Sequence, residues 1–456
     1  MIAGDQPQAK SEHRSIIAWL IAGFVLGFAS LGVLLQGGFA GAAPSPDPTQ
    51  WDPDVHPPLY IVHEARSVTD AGSIVDVQVH VACDFAALRT SECSPDVTLW
   101  ASWGGSPYVE VPLAETRVDS LQVWTAHLPA RHPQLGSLRY YFEASHRALG
   151  EPVRSPISGV YEPAVFDSFV AVPLDAPTFV EPEIVLEAPW GTGPTEIGLE
   201  DGSEQATVGP DAFAYAEDGT LALLDQVNGR VVTVSPEGVW TTFDAPLKGV
   251  GDVAFSGSSI LVLDLVGETQ GLSRVRIPQI LKYDREGSLL AKAPVFAMEP
   301  RRLLASGAVV DESSNSLVYP FDGTAARSRS EQRATRKPHS FRVQVVSDQV
   351  AWLADLGTDT AFEVDATTGE LGAIPEFTRL GDSYLVVFDQ PNTFRIVWFD
   401  SNGTVERDVT VANERHSVFL PKGRVAVTSR GDVLILNSDE DGISIMRVPG
   451  PRGGKS

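Results

Sequence analysis

The sequence from Gly209 to Phe243 reads GPDAFAYAEDGTLALLDQVNGRVVTVSPEGVWTTF, and this stretch decides the fold of the carboxy-terminal part of the chain. Its short apolar segments are separated by turn-forming residues at Asp218-Gly219, Asn228-Gly229 and Pro236-Glu237-Gly238. Asn-Gly favours a type I′ hairpin turn, in which both turn residues must accept a positive φ. The pattern therefore predicts four antiparallel strands connected by tight turns.

The same pattern returns further along the chain in weaker form. The later units lie at 252–264 with 280–290, at 303–323, at 341–371, at 383–409 and at 417–448. Repeated four-stranded units of about 40 residues are typical of a β-propeller, and their number predicts six blades. Because such a ring must close, we expect the segment EIVLEAPW at 183–190 to complete the last blade. The predicted propeller spans 183–449, and a tail follows at 450–456.

One family resemblance accompanies this repeat. AEDGTLALLDQVNGRVVTV at 216–234 resembles the repeat of NHL-type six-bladed propellers, and WFDSNGTV at 398–405 echoes it. Propeller enzymes of related type, such as lactonases and antibiotic lyases, place carboxylates, Asn or His with a divalent metal at the channel mouth. The resemblance thus implies a metal-dependent hydrolase or lyase as one candidate function.

The composition is globular and acidic. The 456 residues are 43% hydrophobic and 20% charged, with a formal net charge of −25. Such a charge repels phosphates, so nucleic acid is not an expected partner. Short segments of Val, Leu, Ile, Phe and Tyr recur between turn residues, while amphipathic helical runs are scarce, so the fold class is predicted to be mainly β.

The amino terminus predicts an uncleaved membrane anchor. Residues 16–36 are apolar and long enough to cross a bilayer as a helix. Lys10, His13 and Arg14 precede this segment and no Lys or Arg follows it until Arg66, which places a tail at 1–15 in the cytoplasm and the bulk outside. The alternative is a cleaved signal peptide ending near 40–42. A Pro-rich linker is predicted at 37–58.

Residues 59–165 predict a small β-sandwich, since IVDVQVHVAC at 74–83 and VTLWASW at 97–103 alternate apolar and polar residues. LRYYFEASHRALGEPVRSP at 138–156 resembles the late strands of immunoglobulin-like or fibronectin-type domains. Cys83 and Cys93, on the side assigned to an oxidising compartment, are expected to form a disulfide. A second linker is predicted at 166–182.

Several acidic residues are candidate metal ligands. Asp225, Asp264, Asp355 and Asp389 each follow an apolar strand at comparable positions of successive units, so they either form a carboxylate ring that binds a cation or cap their own turns. Asn437, Asp439 and Asp441 lie in the segment 437–442, which is similar to the first half of an EF-hand loop, but Val448 stands where a bidentate Glu is required. We therefore predict no cofactor, and calcium is the one candidate that the sequence leaves open.

The sequence offers no evident catalytic constellation. The propeller holds only His339 and His416, without a matching third ligand in view, and the Arg-rich segment 324–339 either recruits an anionic partner or is a solvated loop. We therefore predict a membrane-anchored, extracytoplasmic scaffold that binds a protein or glycan on one propeller face. The alternative is a metal-dependent propeller hydrolase or lyase.

Overall fold

The computed structural model describes a chain built from strands. The described residues are 59–83, 88, 93–118, 121–156, 160–200, 208–210, 212–245, 249, 251–269, 276–295, 297, 300–311, 316–322, 325–326, 337–413 and 424–451. Within these ranges no helix has the length and apolar character needed to span a membrane. The predicted tail 1–15, anchor 16–36 and linker 37–58 lie outside them.

Two sheets form a β-sandwich at the start of the described chain. Its strands are β1 (Leu59–His63), β2 (Val68–Asp70), β3 (Ile74–Cys83), β4 (Asp96–Trp103), β5 (Val109–Val111), β6 (Ala114–Val118), β7 (Leu121–Pro129), β8 (Arg131–His132), β9 (Gly136–Ser145), β10 (Val153–Ser155) and β11 (Ala164–Phe166). One sheet has the order β1-β3-β7-β6 and the other the order β10-β9-β4-β5. The alternation seen in the sequence places one face of each sheet in a shared core, which includes Val77, Leu99 and Phe142.

The predicted disulfide is present. Cys83 and Cys93 are bonded, with their Cα atoms 5.6 Å apart. Cys83 ends β3 of one sheet and Cys93 precedes β4 of the other, so the bond closes the crossover between the two sheets. The prediction of a disulfide between these two cysteines is confirmed.

An aromatic cage in the sandwich core holds His63 in its neutral form. Its Nδ1–H donates to the carbonyl of Gln78 at 2.7 Å, so Nε2 is the acceptor for the Tyr140 hydroxyl at 2.8 Å. The rings of Tyr140, Phe142 and Tyr161 meet the imidazole edge to face. Burial lowers the pKa of His63 to about 4, against the weaker opposing effect of the Gln78 hydrogen bond.

Acidification is therefore expected to destabilise the sandwich. In the unfolded chain His63 takes up a proton near pH 6.5, whereas in the folded chain it stays neutral down to about pH 4. The free energy of unfolding should therefore have its full value above pH 6.5 and decrease as the pH falls through this window. The loss by pH 4.5 should be about 2–3 kcal/mol, as measured by urea unfolding at a series of pH values. In His63→Gln most of this pH dependence should vanish, whereas replacement of the exposed His127 by Gln should leave it intact. Equal pH dependence in wild type and His63→Gln would refute the assignment.

The strands after the sandwich form a second, larger region. They are β12 (Val170–Leu174), β13 (Thr178–Phe179), β14 (Glu183–Pro189), β15 (Phe213–Tyr215), β16 (Leu221–Asp225), β17 (Arg230–Val234), β18 (Trp240–Asp244), β19 (Asp252–Ser256), β20 (Ser259–Thr269), β21 (Arg276–Tyr283), β22 (Leu289–Pro294), β23 (Pro300–Leu303), β24 (Val309–Asp311), β25 (Ser316–Val318), β26 (Phe321–Asp322), β27 (Ala325–Ala326), β28 (Lys337–Pro338), β29 (Phe341–Val345), β30 (Val350–Asp355), β31 (Thr360–Ala366), β32 (Ala373–Leu380), β33 (Ser383–Asp389), β34 (Thr393–Asp400), β35 (Val405–Ala412), β36 (Val425–Val427), β37 (Val433–Ser438) and β38 (Gly442–Val448).

These strands build consecutive four- or five-stranded sheets, of which the described residues show six. Sheet 1 is β15-β16-β17-β18, sheet 2 is β19-β20-β21-β22, sheet 3 is β23-β24-β25-β28, sheet 4 is β29-β30-β31 with β12, sheet 5 is β32-β33-β34-β35 with β13, and sheet 6 is β36-β37-β38 with β14. Consecutive sheets of antiparallel hairpins, the last of which is completed by a strand that precedes the first sheet in the chain, make a β-propeller. The predicted closure is confirmed, because β14 pairs with β38 from Glu183–Arg447 to Pro189–Gly442.

The predicted linker at 166–182 needs correction. Its residues 170–174 form β12, which pairs parallel with β31 of sheet 4, and residues 178–179 form β13, which pairs parallel with β35 of sheet 5. Both strands occupy the outer edges of sheets that would otherwise end in unpaired backbone groups. The segment therefore runs along the outside of the propeller and completes two of its sheets.

The Asn228-Gly229 turn also differs from the prediction. Asp225 pairs with Arg230, so the loop between β16 and β17 holds the four residues 226–229 instead of two. Gly229 has φ +66°, while Asn228 is not among the residues of positive φ. The Asn228 side chain instead donates to the Asp225 carboxylate at 2.8 Å, which favours the longer turn.

Apolar clusters join most neighbouring sheets. They connect sheet 6 to sheet 1, sheet 1 to sheet 2, sheet 2 to sheet 3, sheet 4 to sheet 5, and sheet 5 to sheet 6. At the boundary of sheets 3 and 4 the described apolar residues form two separate clusters. Ala308, Val310 and Leu317 belong to sheet 3, while Ala354 and Ala361 of sheet 4 pack against Val68 and Phe166 of the sandwich.

Candidate functional site

One position recurs on the same face of the propeller. The second strand of each sheet leads to a turn on this face, which we call the rim face, and carries a polar residue toward that turn, which in four of the sheets is the last residue of the strand. These residues are Asp225, Asp264, Asp311, Asp355, Asp389 and Asn437. The sequence prediction identified the positions in sheets 1, 2, 4 and 5. It missed Asp311, although AVVD at 308–311 shows the same pattern, and it interpreted Asn437 as part of a calcium loop.

Asp225 is fully enclosed and holds sheet 1 to the strand that closes the ring. Its carboxylate accepts from the Gly198 amide at 3.0 Å and from Arg230 Nε at 2.8 Å. The Arg230 guanidinium in turn donates to the carbonyls of Gly193 and Glu196, at 2.8 and 2.7 Å, in the segment that follows β14. The carboxylate therefore serves the closure of the propeller.

Asp355 links sheet 4 to sheet 5. It accepts from the Gly357 amide at 2.9 Å within its own turn and from the Tyr384 hydroxyl at 3.3 Å in sheet 5. Arg379, on the innermost strand of sheet 5, lies 3.5 Å from the same carboxylate. Two donors from the next sheet thus meet one buried acidic side chain.

Asp389 links sheet 5 to sheet 6. Its Oδ1 accepts from the Asn413 side chain at 2.8 Å, and its Oδ2 lies 3.8 Å from Arg424, which precedes the innermost strand of sheet 6. Arg424 also donates to the Asn413 side-chain oxygen at 2.8 Å. The three side chains form one network across the boundary, in which Asn413 and Arg424 are buried and Asp389 is partly exposed.

The remaining acidic candidates are also engaged by the fold. Asp264 accepts from the Gln279 side chain at 3.3 Å, and it lies within β20, which continues to Thr269 rather than ending there. Asp439 accepts from the amides of Asp441 and Gly442, at 2.8 and 2.9 Å, in a hairpin turn between β37 and β38. The segment at 437–442 is therefore a capped hairpin turn.

One further charged pair joins two sheets that are not neighbours. Arg302 of β23 forms an ion pair with Glu376 of β32, so the innermost strands of sheets 3 and 5 are joined past sheet 4. The Glu376 side chain is only 8% exposed, and burial raises its pKa despite the opposing Arg302 charge.

At the boundary between sheets 2 and 3, the Asp252 carboxylate of sheet 2 accepts a hydrogen bond from the Leu303 amide of sheet 3 at 2.7 Å.

These contacts define what the rim can do chemically. Across the described part of the chain, no group of three or more His, Cys, Asp or Glu side chains is arranged to hold a metal ion. Asp225, Asp355 and Asp389 already accept N–H or O–H donors, so metal binding would have to displace bonds between sheets. His339 lies near the rim with Nδ1 on the Phe341 carbonyl at 2.7 Å, while His416 lies outside the described residues.

The opposite face carries a polar groove between sheets 1 and 2. Its volume is about 450 Å³, and its lining residues are Asp218, Thr220, Thr233, Gly257, Ser258 and Arg285. Arg285 stacks over the Phe255 ring at 4.3 Å and lies 3.6 Å from Asp218. The Arg-rich segment singled out in the sequence, from Arg327 to Arg336, lies outside the described residues.

Comparison of the sequence with protein-family models and with curated proteins gives no match. Comparison with solved structures finds propeller proteins. A catalytically inactive virginiamycin B lyase from Staphylococcus aureus, solved with quinupristin, is 12% identical over 54% of this chain and 87% of its own, with a TM-score of 0.28. The Dos1 propeller is 12% identical over 58% of this chain and 75% of its own, with a TM-score of 0.27.

A protein from Lactobacillus plantarum covers more of the chain, 80% of this one and 95% of its own, at 12% identity and a TM-score of 0.29. At such TM-scores these structures add nothing to the argument from strand pairing. The β-propeller fold follows from the order of the sheets and their closure by β14.

Proposed function

We propose that this protein is a membrane-anchored, extracytoplasmic scaffold that recognises a protein or glycan through the rim face of its propeller. The observation that carries the proposal is the commitment of the rim carboxylates to neighbouring sheets. Asp225, Asp355 and Asp389 each hold a boundary together, which makes the face rigid. A rigid surface of loops on a closed scaffold is suited to binding because little conformational entropy is lost.

The proposal includes the finer assignments of the architecture. The six described sheets are taken as a complete six-bladed ring of the NHL type, and the sandwich as an immunoglobulin-like or fibronectin-like spacer. Residues 16–36 are taken as a single-pass anchor with the amino terminus in the cytoplasm. The disulfide between Cys83 and Cys93 is compatible with an oxidising compartment outside the cytoplasm.

The anchor is tested by alkaline extraction of membranes and by protease treatment of intact cells. The full chain should stay in the membrane fraction, and a variant without residues 16–36 should be released. Mass spectrometry should find the apolar segment still attached. A mature protein that begins after Ala42 would instead establish a cleaved signal peptide.

Recognition by the rim face is tested with photo-crosslinking residues in the full chain. One probe replaces Asn392, an exposed residue in a rim-face turn of sheet 5, and the control probe replaces Glu286, an exposed residue in a turn on the opposite face. The rim probe should give discrete protein adducts, or the purified chain in nanodiscs should bind defined saccharides on an array. Adducts from Glu286 alone, with no saccharide bound, would overturn the proposal.

A further inference from the structure

The boundary between sheets 3 and 4 differs from the others because an arginine faces it from each sheet. Arg302 pairs with Val310 across β23 and β24, so it lies on the face of sheet 3 whose apolar residues form a cluster of their own. Arg342 pairs with Ala354 across β29 and β30, on the face of sheet 4 that packs against the sandwich. Two arginines on innermost strands therefore face the same boundary.

Arg342 is a buried cation that has no partner among the residues the structure describes. The residue is only 9% exposed, and its buried Nε has no hydrogen-bond acceptor among the described residues. Among the described residues no carboxylate forms an ion pair with it. Burial lowers the pKa of Arg342 to about 10, because a charged guanidinium is costly to desolvate, and the charge of Glu162 opposes this shift only in part.

The neighbouring charges do not neutralise this site. Glu376 is engaged by Arg302, and Glu162 pairs with Arg139 at 2.9 Å, although its charge is felt by Arg342. His339 lies close enough that Arg302 and Arg342 both help burial to lower its pKa. In a chain of net charge −25 the local excess at this boundary is positive.

We propose that the boundary of sheets 3 and 4 binds a small ligand through its oxyanion, a carboxylate or a phosphate, with the Arg342 guanidinium as the principal contact. An oxyanion would supply the acceptor that Arg342 Nε lacks and would match the planar donor geometry of a guanidinium. Arg302, whose side chain is 41% exposed and paired with Glu376, faces the same boundary from sheet 3 and would be the second cation near the ligand. This site goes beyond the proposed recognition of a macromolecule and does not depend on it.

The test is calorimetry on the full chain in nanodiscs with inorganic phosphate and glucuronate as probes and glucose as the neutral control. At least one anion should bind and glucose should not, and the preferred anion identifies the source of the oxyanion. Arg342→Gln, which keeps most of the side-chain volume, should weaken binding about 10- to 100-fold, since hydrogen bonds to a charged group are lost. Arg285→Gln, on the opposite face, should bind as wild type does.

Thermal unfolding keeps the test decisive if one variant folds poorly. The anion that binds should raise the melting temperature of wild type but not of Arg342→Gln, and Arg342→Lys, which retains the charge without the fork, should show an intermediate shift. A site with two arginines should be occupied by one of the anions at about 10 mM. If neither anion binds at that concentration, the proposal is overturned. Undiminished binding in Arg342→Gln would also overturn it. Neither result would bear on the crosslinking test of the rim face.

Discussion

Replacing Asp225 with Ala is expected to lower the free energy of unfolding of the propeller by about 3–5 kcal/mol, the usual cost of stranding one member of a buried ion pair. The Asp225 side chain is 0% exposed and that of Arg230 is 12% exposed, so water cannot replace the lost carboxylate. The variant also removes the acceptor for the Gly198 amide. Because Arg230 holds the segment after β14, ring closure should weaken with it.

The matched control is Asp244→Ala in the same sheet. Asp244 stands opposite Arg230 on the outer strand β18 but is exposed, so its loss should change the free energy by less than about 0.5 kcal/mol. Urea unfolding of the full chain in detergent, followed by hydrogen exchange of the β14 amides, measures both effects. If the two variants were equally stable, Asp225 would not hold the ring closed.

Trp398→Ala is expected to cost about 3–5 kcal/mol, since it opens a large cavity between sheets 5 and 6. The residue is 1% exposed and packs with Ile396, Val433 and Met446. Its indole N–H also donates to the Gly431 carbonyl at 3.0 Å, so truncation leaves that acceptor without its indole donor.

Two control variants show whether the loss of stability in Trp398→Ala comes from the lost buried volume. Trp398→Phe keeps much of the volume and should cost clearly less than the Ala variant. Val239→Ala, at a residue that is 61% exposed, should leave the unfolding midpoint nearly unchanged. A Trp398→Ala midpoint similar to that of Val239→Ala would mean that the boundary of sheets 5 and 6 is not packed as described.

Local hairpin signals predicted much of the propeller, because its strands pair mostly with their neighbours in sequence. β12 and β13 could not be predicted in this way: they pair with β31 and β35, more than 180 residues away, and VAVPL at 170–174 is short and contains Pro. Their position depends on which outer edges the later repeats leave unpaired.

The candidate sites were predicted unevenly for a similar reason. The repeating apolar-apolar-Asp pattern located four rim carboxylates, but the side chains that hold them, such as Arg379 and Arg424, come from the next sheet along the chain. Arg342 gave no signal, since a single Arg in the strand FRVQV reads as a surface residue. Its burial depends on long-range packing on the face of sheet 4 where Ala354 and Ala361 contact Val68 and Phe166 of the sandwich.

The central claim is that the rim carboxylates hold neighbouring sheets together and leave the face to recognition. Calorimetric titration of Ca²⁺ and Zn²⁺ into the full chain in nanodiscs, for wild type and for Asp389→Asn, tests it most directly. Asn can still accept from Asn413, so the variant should fold. We predict the same weak heats for both proteins. Tight metal binding to wild type that is lost in Asp389→Asn would contradict the account and support a metal-dependent hydrolase or lyase.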